Sequence, residues 1–439
     1  MEGPLRLGIA GLGTVGASVV QILRRHENDL SAQAGRAIKL VAVCARDRSR
    51  DRGVPLDGVT WFDDPVALAK TGEIDVFVEL IGGEDGVALE SVRAALGAGH
   101  GVVTANKALL AAHGVDLAEI AEAHDAPLAF EAAVGGGIPI IKTLREALAG
   151  NHITRLFGIL NGTCNYILTR MEEDGLTFQN CLKDAQRLGY AEADPTFDVE
   201  GLDSAHKLAI LTSIAFGTRI DKDAIFVEGI SAIEPEDIEA ADELGYRIKL
   251  LGVAQQTDSG IEQRVHPTMV PRDSTIARVS SVTNAIAVEG DSIGSVMLTG
   301  PGAGGSATGS AVVGDILDIA RGIKVPPLGR PAASLEPYRR AKMRAHEGGY
   351  YLRLMVRDKP GAFAAIARCM ADADISLESI VQRNRPPRSA PRSHDDDVAQ
   401  AVTIITYETT EAAIRGALER IESEGQISGK PKLIRIERL

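Results

Sequence analysis

The sequence predicts an α/β protein of three domains, and three observations carry this prediction. Strand and helix patterns alternate through residues 1–150, as in an open parallel sheet covered by helices. Residues 151–325 have longer strand patterns in a different order, which favours an α+β domain. A basic, proline-containing linker (residues 326–348) then precedes a unit at residues 349–439 with the order βαββαβ. A chain of 439 residues has room for about three domains of roughly 150 residues each.

The composition excludes several classes of protein. The net charge of −13 argues against a general nucleic-acid binder, which needs a basic surface. No apolar run approaches the roughly 20 residues of a membrane span, and the N-terminus lacks the basic segment of a signal peptide. The cysteines and histidines show no metal-ligand spacing, so a transition-metal site is not supported. We therefore expect a cytoplasmic protein that binds neither nucleic acid nor membrane.

A glycine-rich turn follows the first predicted strand, Leu5–Ala10. Residues 11–16 read Gly-Leu-Gly-Thr-Val-Gly, and a helix pattern follows over residues 17–23. In this motif the first glycine permits a tight turn, the second lets a pyrophosphate approach the backbone, and the third allows close helix–strand packing. The turn predicts a Rossmann-type dinucleotide-binding domain, against the alternative of a glycine-rich turn without a ligand. The residues assigned to the cofactor here are Gly11, Gly13, Thr14, Val15 and Gly16.

The end of the second strand (residues 38–43) bears on the choice between NAD and NADP. A domain that prefers NAD places Asp or Glu there, whereas the first charged residue here is Arg46, and three more arginines follow by residue 52. A guanidinium binds phosphate oxygens bidentately, so we expect NADP, with its 2′-phosphate at Arg46. The adjacent Asp47 leaves NAD possible. The alternative to a phosphate site is a solvated basic loop that binds no ligand.

The later strands of the first domain end in loops that could face a ligand. A buried-type strand covers residues 76–81, and a further strand at residues 101–105 leads into a helix that begins near Lys107. Ligands lie beyond the carboxyl ends of strands in an open α/β sheet. Cations are disfavoured at a helix N-terminus, so Lys107 is less easily explained as an ordinary helix-start lysine.

Two glycine-rich segments lie further along the chain. A strand predicted at residues 128–133 leads into Val-Gly-Gly-Gly-Ile-Pro and a helix over residues 140–148, with which we end the first domain. In the middle domain, strands are predicted at residues 153–160, 248–254, 263–269 and 281–289. A second glycine loop (residues 300–306) precedes a long helix at residues 307–321, which is expected to return to the first domain. Its helix start could present N–H groups to an anion, or the loop could be a plain connector.

An acidic segment, residues 188–207, places five carboxylates ahead of Lys207. Asp203 and Lys207 are four residues apart and therefore share one face of a helix. The alternatives at this point are a solvated loop with a weak surface ion pair and a polar functional site.

The C-terminal unit has the element order of a ferredoxin-like fold. Strands are predicted at residues 350–356, 375–382, 398–407 and 432–436, and helices at residues 360–373 and 410–421. Between its second and third strands, residues 383–397 are rich in Pro, Arg, Ser and Asp, which favours a mobile insertion.

Taken together, these motifs resemble homoserine dehydrogenases of the longer kind, which carry a C-terminal ACT domain. The resemblance covers nearly the whole chain. It rests on the glycine turn and the second glycine loop, and on Val-Thr-Ala-Asn-Lys at 103–107 and Glu-Ala-Ala-Val-Gly-Gly-Gly-Ile-Pro at 131–139. It rests also on Asn-Gly-Thr at 161–163, Leu-Gly-Tyr-Ala-Glu-Ala-Asp-Pro at 188–195 and residues 203–207.

The resemblance implies an activity and a role for each matching residue. The family interconverts L-aspartate 4-semialdehyde and L-homoserine with NAD(P), in threonine, methionine and isoleucine biosynthesis. By resemblance, Lys207 donates a proton to the aldehyde oxygen and Lys107 lies beside the nicotinamide. Thr104 and Gly302 would contact the cofactor, and Glu192, Asp203 and Gly189 the substrate. A monovalent cation, usually sodium, would be held by main-chain oxygens of Glu131, Val134, Gly136 and Ile138.

The resemblance also implies regulation and assembly. The turn at residues 358–363 matches the amino-acid-sensing loop of ACT domains, which suggests feedback inhibition by L-threonine and a homodimer or homotetramer. The insertion at residues 383–397 departs from the family pattern where effector contacts would lie. Two other hypotheses remain: another NADP-linked aldehyde or amino-acid reductase, and a non-catalytic sensor of dinucleotide and amino acid.

Overall fold

Six parallel strands form the first sheet of the protein, in the order β3-β2-β1-β4-β5-β6. The computed structural model describes residues 3–341, 347–357, 359–382 and 399–437. The strands are β1 (Leu5–Ala10), β2 (Ile38–Cys44), β3 (Thr60–Phe62), β4 (Val76–Glu79), β5 (Gly101–Thr104) and β6 (Leu128–Ala129). The accompanying helices are α1 (Thr14–Arg25), α2 (Glu27–Ala34), α3 (Pro65–Lys70), α4 (Val87–Gly97) and α5 (Lys107–Ala123). This strand order is that of a doubly wound dinucleotide-binding fold, so the predicted Rossmann-type domain is confirmed.

The second sheet is larger and mostly antiparallel. Its nine-strand path runs β12-β11-β7-β9-β10-β17-β13-β15-β14, with β8 beside β10 and β16 beside β13. Up to residue 320 the elements are α6 (Ile140–Lys142), β7 (Ile153–Ile159), α7 (Gly162–Asp174), α8 (Phe178–Arg187), α9 (Thr196–Val199), α10 (Leu202–Phe216), β8 (Phe226–Val227), α11 (Pro235–Glu243), β9 (Tyr246–Thr257), β10 (Gly260–Pro271), β11 (Thr283–Gly290), β12 (Gly294–Pro301) and α12 (Gly305–Ala320). The C-terminal elements are β13 (Glu347–Arg357), α13 (Ala362–Asp372), β14 (Leu377–Gln382), β15 (Ala399–Thr406), β16 (Thr409–Thr410), α14 (Glu411–Ser423) and β17 (Lys432–Ile436).

Helix α12 packs against the first sheet's own helix α1. Two glycines on α12 permit this approach, because a Cβ at Gly305 would lie 2.6 Å from the hydroxyl of Ser18 and one at Gly309 would lie 3.2 Å from its Cβ. The apolar residues of α12 complete a core with α1 and the strands β1 and β4. The chain thus leaves the first sheet after β6 and returns to it with its twelfth helix.

The C-terminal unit shows the predicted βαββαβ order, with the two-residue strand β16 added before α14. Its sheet is continuous with that of the middle region, because β17 pairs in parallel with β10 through Thr268–Arg435 and Met269–Ile436. Buried ion pairs also involve these two strands: Arg435 on β17 donates to Glu411 at 2.5 Å, and Arg264 on β10 donates to Glu437 at 3.2 Å. The predicted insertion at residues 383–397 lies outside the described residues.

The prediction of a strand over residues 128–133 is wrong beyond Ala129. The chain turns there into a 3-10 helix, Glu131–Ala133. The Glu131 backbone N–H donates to Asp315 on α12 at 2.8 Å, and its carboxylate accepts from the N–H groups of Ile141 and Lys142. These long-range contacts draw the segment away from the sheet, and nothing in its apolar pattern reveals them.

Several elements escaped the sequence analysis: the helices α2, α3, α9 and α11 and the strands β3, β8 and β12. In particular, Gly300 and Pro301 end β12 and do not belong to the loop that precedes α12. The helix predicted over residues 140–148 begins as α6 and continues as a π-helical turn, Thr143–Ala147. No helix in the described part of the chain has the length and apolar character needed to cross a membrane.

One stability prediction follows from the contact between α11 and the C-terminal sheet. Asp237 is fully buried and accepts from Arg353 Nε at 2.8 Å and from the Tyr351 hydroxyl at 3.2 Å. Asp237→Ala leaves the half-buried Arg353 short of a partner, so we expect a loss of about 3 kcal/mol, read as a lower thermal midpoint. Glu236→Ala, an exposed acid one residue earlier on α11, should cost less than about 1 kcal/mol. Equal midpoints for both variants would contradict this account.

Candidate active site

A cavity of about 400 Å³ lies at the carboxyl ends of β1, β2 and β4. The glycine turn forms its floor, and its geometry requires glycine at two places. A Cβ at Gly11, where φ is +102°, would lie 2.2 Å from the Leu80 carbonyl oxygen, and one at Gly16 would lie 2.1 Å from the Gly11 oxygen. Gly13 instead faces open space. It is exposed together with Thr14 at the start of α1, with Val15 half-buried behind them. This is the cradle that a dinucleotide pyrophosphate needs.

The wall of the cavity beyond β2 is cationic. Arg46, Arg50 and Arg52 line it. The Arg52 guanidinium also lies 5.4 Å from the centre of the Trp61 ring, a cation–π distance. The carboxylate of Asp47 accepts from the hydroxyl of Ser49 at 2.6 Å, and this hydrogen bond, with that from the Ser49 N–H, holds the pKa of Asp47 below its usual range. The Asp47 carboxylate is therefore engaged locally, and the three arginines face the cavity.

A buried carboxylate joins two lysines at the edge of the second domain. Asp203 Oδ2 accepts from Lys207 Nζ at 2.7 Å, and Asp203 Oδ1 lies 3.1 Å from Lys107 Nζ. The side chains of Asp203 and Lys207 are 5% and 9% exposed, whereas that of Lys107 is 33% exposed. The two lysines lie on different helices, α5 and α10, so the structure brings together three of the residues that the sequence singled out.

Several partners hold Asp203 in its charged form. Burial opposes ionisation, but the charges of Lys207 and Lys107 and the hydrogen bonds from Lys207 and Asn161 keep the pKa of Asp203 well below its usual range. Lys207 Nζ also donates to the Leu160 carbonyl at 2.8 Å, at the end of β7. The ammonium is therefore aimed by two acceptors from separate elements.

The local sequence explains why Asp203 and Lys207 face inward. Gly201, at φ +84°, turns the chain into α10, and Asp203 falls in the first turn of that helix, where its charge is favoured. Lys207 lies one turn later on the same face, as the spacing predicted. Most of the remainder of α10 is buried, which fixes the helix and its two charged residues.

Asp198 belongs to the same cluster, although the sequence analysis assigned it no role. The amide nitrogen of Asn161 donates to Asp198 Oδ1 at 2.8 Å and to Asp203 Oδ2 at 2.9 Å, so one side chain links two carboxylates. Burial, together with the negative charge of Asp203, raises the pKa of Asp198. The Asn161 oxygen caps α7 by accepting from the Cys164 N–H. Asn-Gly-Thr at a predicted helix start was the available signal, but its carboxylate partners are distant in sequence.

Lys107 is fixed at the start of α5. Asn106 caps that helix by accepting from the Leu109 N–H at 3.1 Å, and Thr104 at the end of β5 is fully buried. The Lys107 ammonium lies 6.0 Å from the centre of the Phe197 ring, on the acidic segment. Contacts with Asp203 and Phe197 thus direct this lysine from the first sheet toward the second.

Two predicted substrate residues lie apart from this cluster. The side chain of Glu192 is exposed and forms no hydrogen bond or ion pair with any other described residue. Its carbonyl accepts from the Gln186 amide at 3.0 Å. Gly189 is exposed at φ +78° after α8, and its N–H donates to Gln186. Their roles in substrate binding remain predictions.

The triple-glycine segment and the second glycine loop lie against each other. A Cβ at Gly136, where φ is +59°, would lie 2.4 Å from the Gly302 oxygen, and the Gly137 N–H donates to the Pro301 carbonyl at 2.9 Å. A Cβ at Gly302 would lie 2.0 Å from the amide nitrogen of Asn284. These contacts make one close-packed unit of two loops separated by more than a hundred residues.

Glu131, at the start of the triple-glycine segment, uses its side chain for structure. Burial raises the pKa of its carboxyl to about 7, while the hydrogen bonds from the N–H groups of Lys142 and Ile141 act in the opposite direction. Val134 and Ile138 are buried in the same segment. In the parts of the chain that the structure describes, no group of three or more His, Cys, Asp or Glu side chains is placed to hold a metal ion.

This arrangement places two lysine side chains around one buried carboxylate. Lys207 and Lys107 lie on either side of one carboxylate, and Lys107 follows β5, the strand next to β4 in the nucleotide-binding sheet. Positioned cations of this kind can stabilise negative charge that develops on an oxygen atom bound between them.

Comparison with known proteins identifies the family. Residues 11–131 match the model for the NAD-binding domain of homoserine dehydrogenase, and residues 139–317 match the homoserine dehydrogenase model. A homoserine dehydrogenase from Pseudomonas aeruginosa is 43% identical, over 99% of each chain. The crystal structure of a homoserine dehydrogenase from Thiobacillus denitrificans has a TM-score of 0.92 and 41% identity, and the match covers 100% of both chains.

The structure of a more distant relative, a hyperthermophilic archaeal homoserine dehydrogenase in complex with NADPH, has a TM-score of 0.63 and 26% identity. It covers 73% of this chain and 98% of its own. The full-length relatives match the C-terminal unit as well, since they cover the whole chain. The chain therefore belongs to the homoserine dehydrogenase family and is an oxidoreductase with an NAD(P)-binding domain.

Proposed function

We propose that the protein reduces L-aspartate 4-semialdehyde reversibly to L-homoserine with NADPH, and that Lys207 and Lys107 act on the reacting oxygen. The observation that carries this proposal is the sharing of one buried carboxylate, Asp203, by the two lysines. NADPH supplies the hydride when it is bound, and the glycine turn, the open face at Gly13 and the arginine-lined wall fit that cofactor.

Lys207 is the proposed proton donor. Reduction of an aldehyde places negative charge on its oxygen, and a positioned acid that neutralises this charge accelerates the reaction. The Lys207 ammonium is held by Asp203 and by the Leu160 carbonyl, which leaves its third hydrogen for the substrate oxygen. In the reverse direction the same nitrogen accepts the hydroxyl proton of homoserine.

Lys107 provides the second positive charge. Its ammonium lies 3.1 Å from Asp203 and retains a solvent-accessible face, so a substrate can reach it. The amino group of the substrate requires a carboxylate partner, and we assign this role to Glu192, whose side chain is exposed on the acidic segment. Gly189, in the turn before it, and Asp203 complete the proposed substrate contacts.

We further propose a monovalent cation, sodium by preference, on main-chain oxygens of Glu131, Val134, Gly136 and Ile138. Hard cations prefer oxygen ligands, and a glycine segment presents carbonyls without side chains in the way. The Glu131 carboxylate already accepts two backbone N–H groups, so a main-chain site suits this segment better than a carboxylate cage. Such a cation would stiffen the loop that packs on Gly302. Gly302 and Thr104 are both proposed cofactor contacts.

Regulation by L-threonine is the corresponding proposal for the C-terminal unit, which we assign to the ACT family with limits of 349–439. The turn at residues 358–363 would sense the effector, although Asp358 lies outside the described residues. The pairing of β17 with β10 supports a route from this unit to the catalytic region. We also propose domain limits of 1–150 and 151–325. The protein is further proposed to form a homodimer or a homotetramer.

Replacement of Lys207 tests the catalytic assignment. Lys207→Ala should lower kcat for semialdehyde reduction by at least about 100-fold, because the proton donor is lost, and should leave the Kd for NADPH within about threefold. Turnover and cofactor fluorescence measure the two quantities. Lys183→Ala, which removes an exposed lysine from α8, is the control and should match the parent. Survival of turnover in Lys207→Ala would show that another group donates the proton.

Replacement of Arg46 tests the preference for NADP. Arg46→Ala should raise KM for NADPH about 10-fold and KM for NADH less than twofold, because only NADPH carries the 2′-phosphate. Arg48→Ala is the matched control, since Arg48 is on the same loop but is not among the residues that line the cavity. If Arg46→Ala weakens both cofactors equally, the phosphate is bound elsewhere.

A further inference from the structure

Glu79 is a fully buried carboxylate at the carboxyl end of β4. The nucleotide cavity does not include it among its lining residues, and it does not touch the lysine cluster. It lies opposite Thr104 in the ladder between β4 and β5, and it pairs on its other side with Ala10, the last residue before the glycine turn. A carboxylate buried at the end of a central strand requires hydrogen-bond partners, because burial of an unpaired charge costs free energy.

Three donors converge on this carboxylate. Oε1 accepts from the N–H groups of Ile81 at 2.7 Å and Gly82 at 3.0 Å, and Oε2 accepts from the Thr104 hydroxyl at 2.6 Å. All three are donors and none is an acceptor, which is the arrangement of an ionised carboxylate. Glu79 therefore ties the loop after β4 to the end of β5.

The chain of contacts continues to the start of α5. The Thr104 hydroxyl oxygen accepts from the Asn106 N–H at 3.0 Å, and the Asn106 amide donates back to the Gly83 carbonyl at 2.7 Å. The Asn106 oxygen caps α5, of which Lys107 is the first residue. The backbone that carries Lys107 is thus held by hydrogen bonds that originate at Glu79.

We propose that Glu79 is a positioning residue for Lys107: through Thr104 and Asn106 it sets the orientation in which the Lys107 ammonium reaches Asp203 and the substrate oxygen. This inference rests on the catalytic role proposed above for Lys107. It adds a residue that does not itself line the cavity or belong to the proposed substrate contacts, and it explains why the end of β4 carries an acid.

The hydrogen-bonded chain from Glu79 through Thr104 to Asn106, called the relay below, requires a carboxylate and does not tolerate an amide. If the oxygen of a glutamine keeps the two backbone N–H groups, its NH₂ faces the Thr104 hydroxyl, which then receives two donors and has no acceptor for its own hydrogen. If the amide is flipped, the NH₂ faces two N–H groups. Glu79→Gln therefore keeps the volume of the side chain and breaks the hydrogen-bond order in either orientation.

The expected effect is on catalysis more than on cofactor binding. A displacement of about 1 Å in a catalytic group can cost 10²-fold in rate. We expect Glu79→Gln to lower kcat for semialdehyde reduction about 10- to 100-fold while the Kd for NADPH changes less than about threefold. Glu411→Gln, the same exchange at a buried glutamate of the C-terminal unit, is the matched control and should leave both values near the parent's.

A double-mutant cycle separates positioning from a general structural role. If Glu79 acts through Lys107, then Glu79→Gln should reduce kcat strongly in the parent and by less than twofold in the Lys107→Ala background. Thr104→Val, which breaks the relay from the other side, should show the same dependence on Lys107 and serves if Glu79→Gln folds poorly.

The outcomes are distinct. Multiplicative losses in the double variants, or a parent-like kcat for both single relay variants, would overturn the positioning role. A parent-like kcat for Lys107→Ala would instead overturn the catalytic role of Lys107, on which the inference rests.

Discussion

The contact between Asp203 and two lysines is the interaction on which the proposed catalytic site depends. Burial of a carboxylate and an ammonium offers little net stability, because desolvation offsets most of their attraction. Asp203 nevertheless keeps its charge in a site that is 5% exposed, since Lys207, Lys107 and Asn161 all face it. An arrangement that contributes so little to stability is typical of a functional site.

Two helices, α5 and α10, meet at this carboxylate. Lys107 comes from the end of β5 in the parallel sheet, while Asp203 and Lys207 come from α10, which packs on the second sheet. The return of α12 to α1 holds the two halves together at another place. A small rearrangement at either sheet would therefore change the distance between the lysines, and this is the reason for proposing that Glu79, which fixes the end of β4, positions Lys107.

Local patterns predicted much of this structure. The glycine turn, most of the predicted strands and the four-residue spacing of Asp203 and Lys207 depend on neighbours in sequence, and the structure confirms them, although several strands end at other residues than expected. Contacts between distant segments were not predictable: Asn161 with Asp198, the Glu131 backbone with Asp315, and β17 with β10. The Glu131 contact explains the wrong strand, and that of β17 joins the C-terminal unit to the middle sheet. Glu192 was expected beside the lysines, but its exposed side chain leaves that role to be tested.

The most direct measurement of the central claim is the turnover of Asp203→Asn with semialdehyde and NADPH, together with its cofactor affinity. The amide removes the charge shared by Lys207 and Lys107 but keeps the size of the side chain. We expect kcat to fall at least about 100-fold, with the Kd for NADPH within about threefold of the parent's. A kcat close to that of the parent would contradict the account, because the two ammonium groups would then be placed for reaction without their common partner.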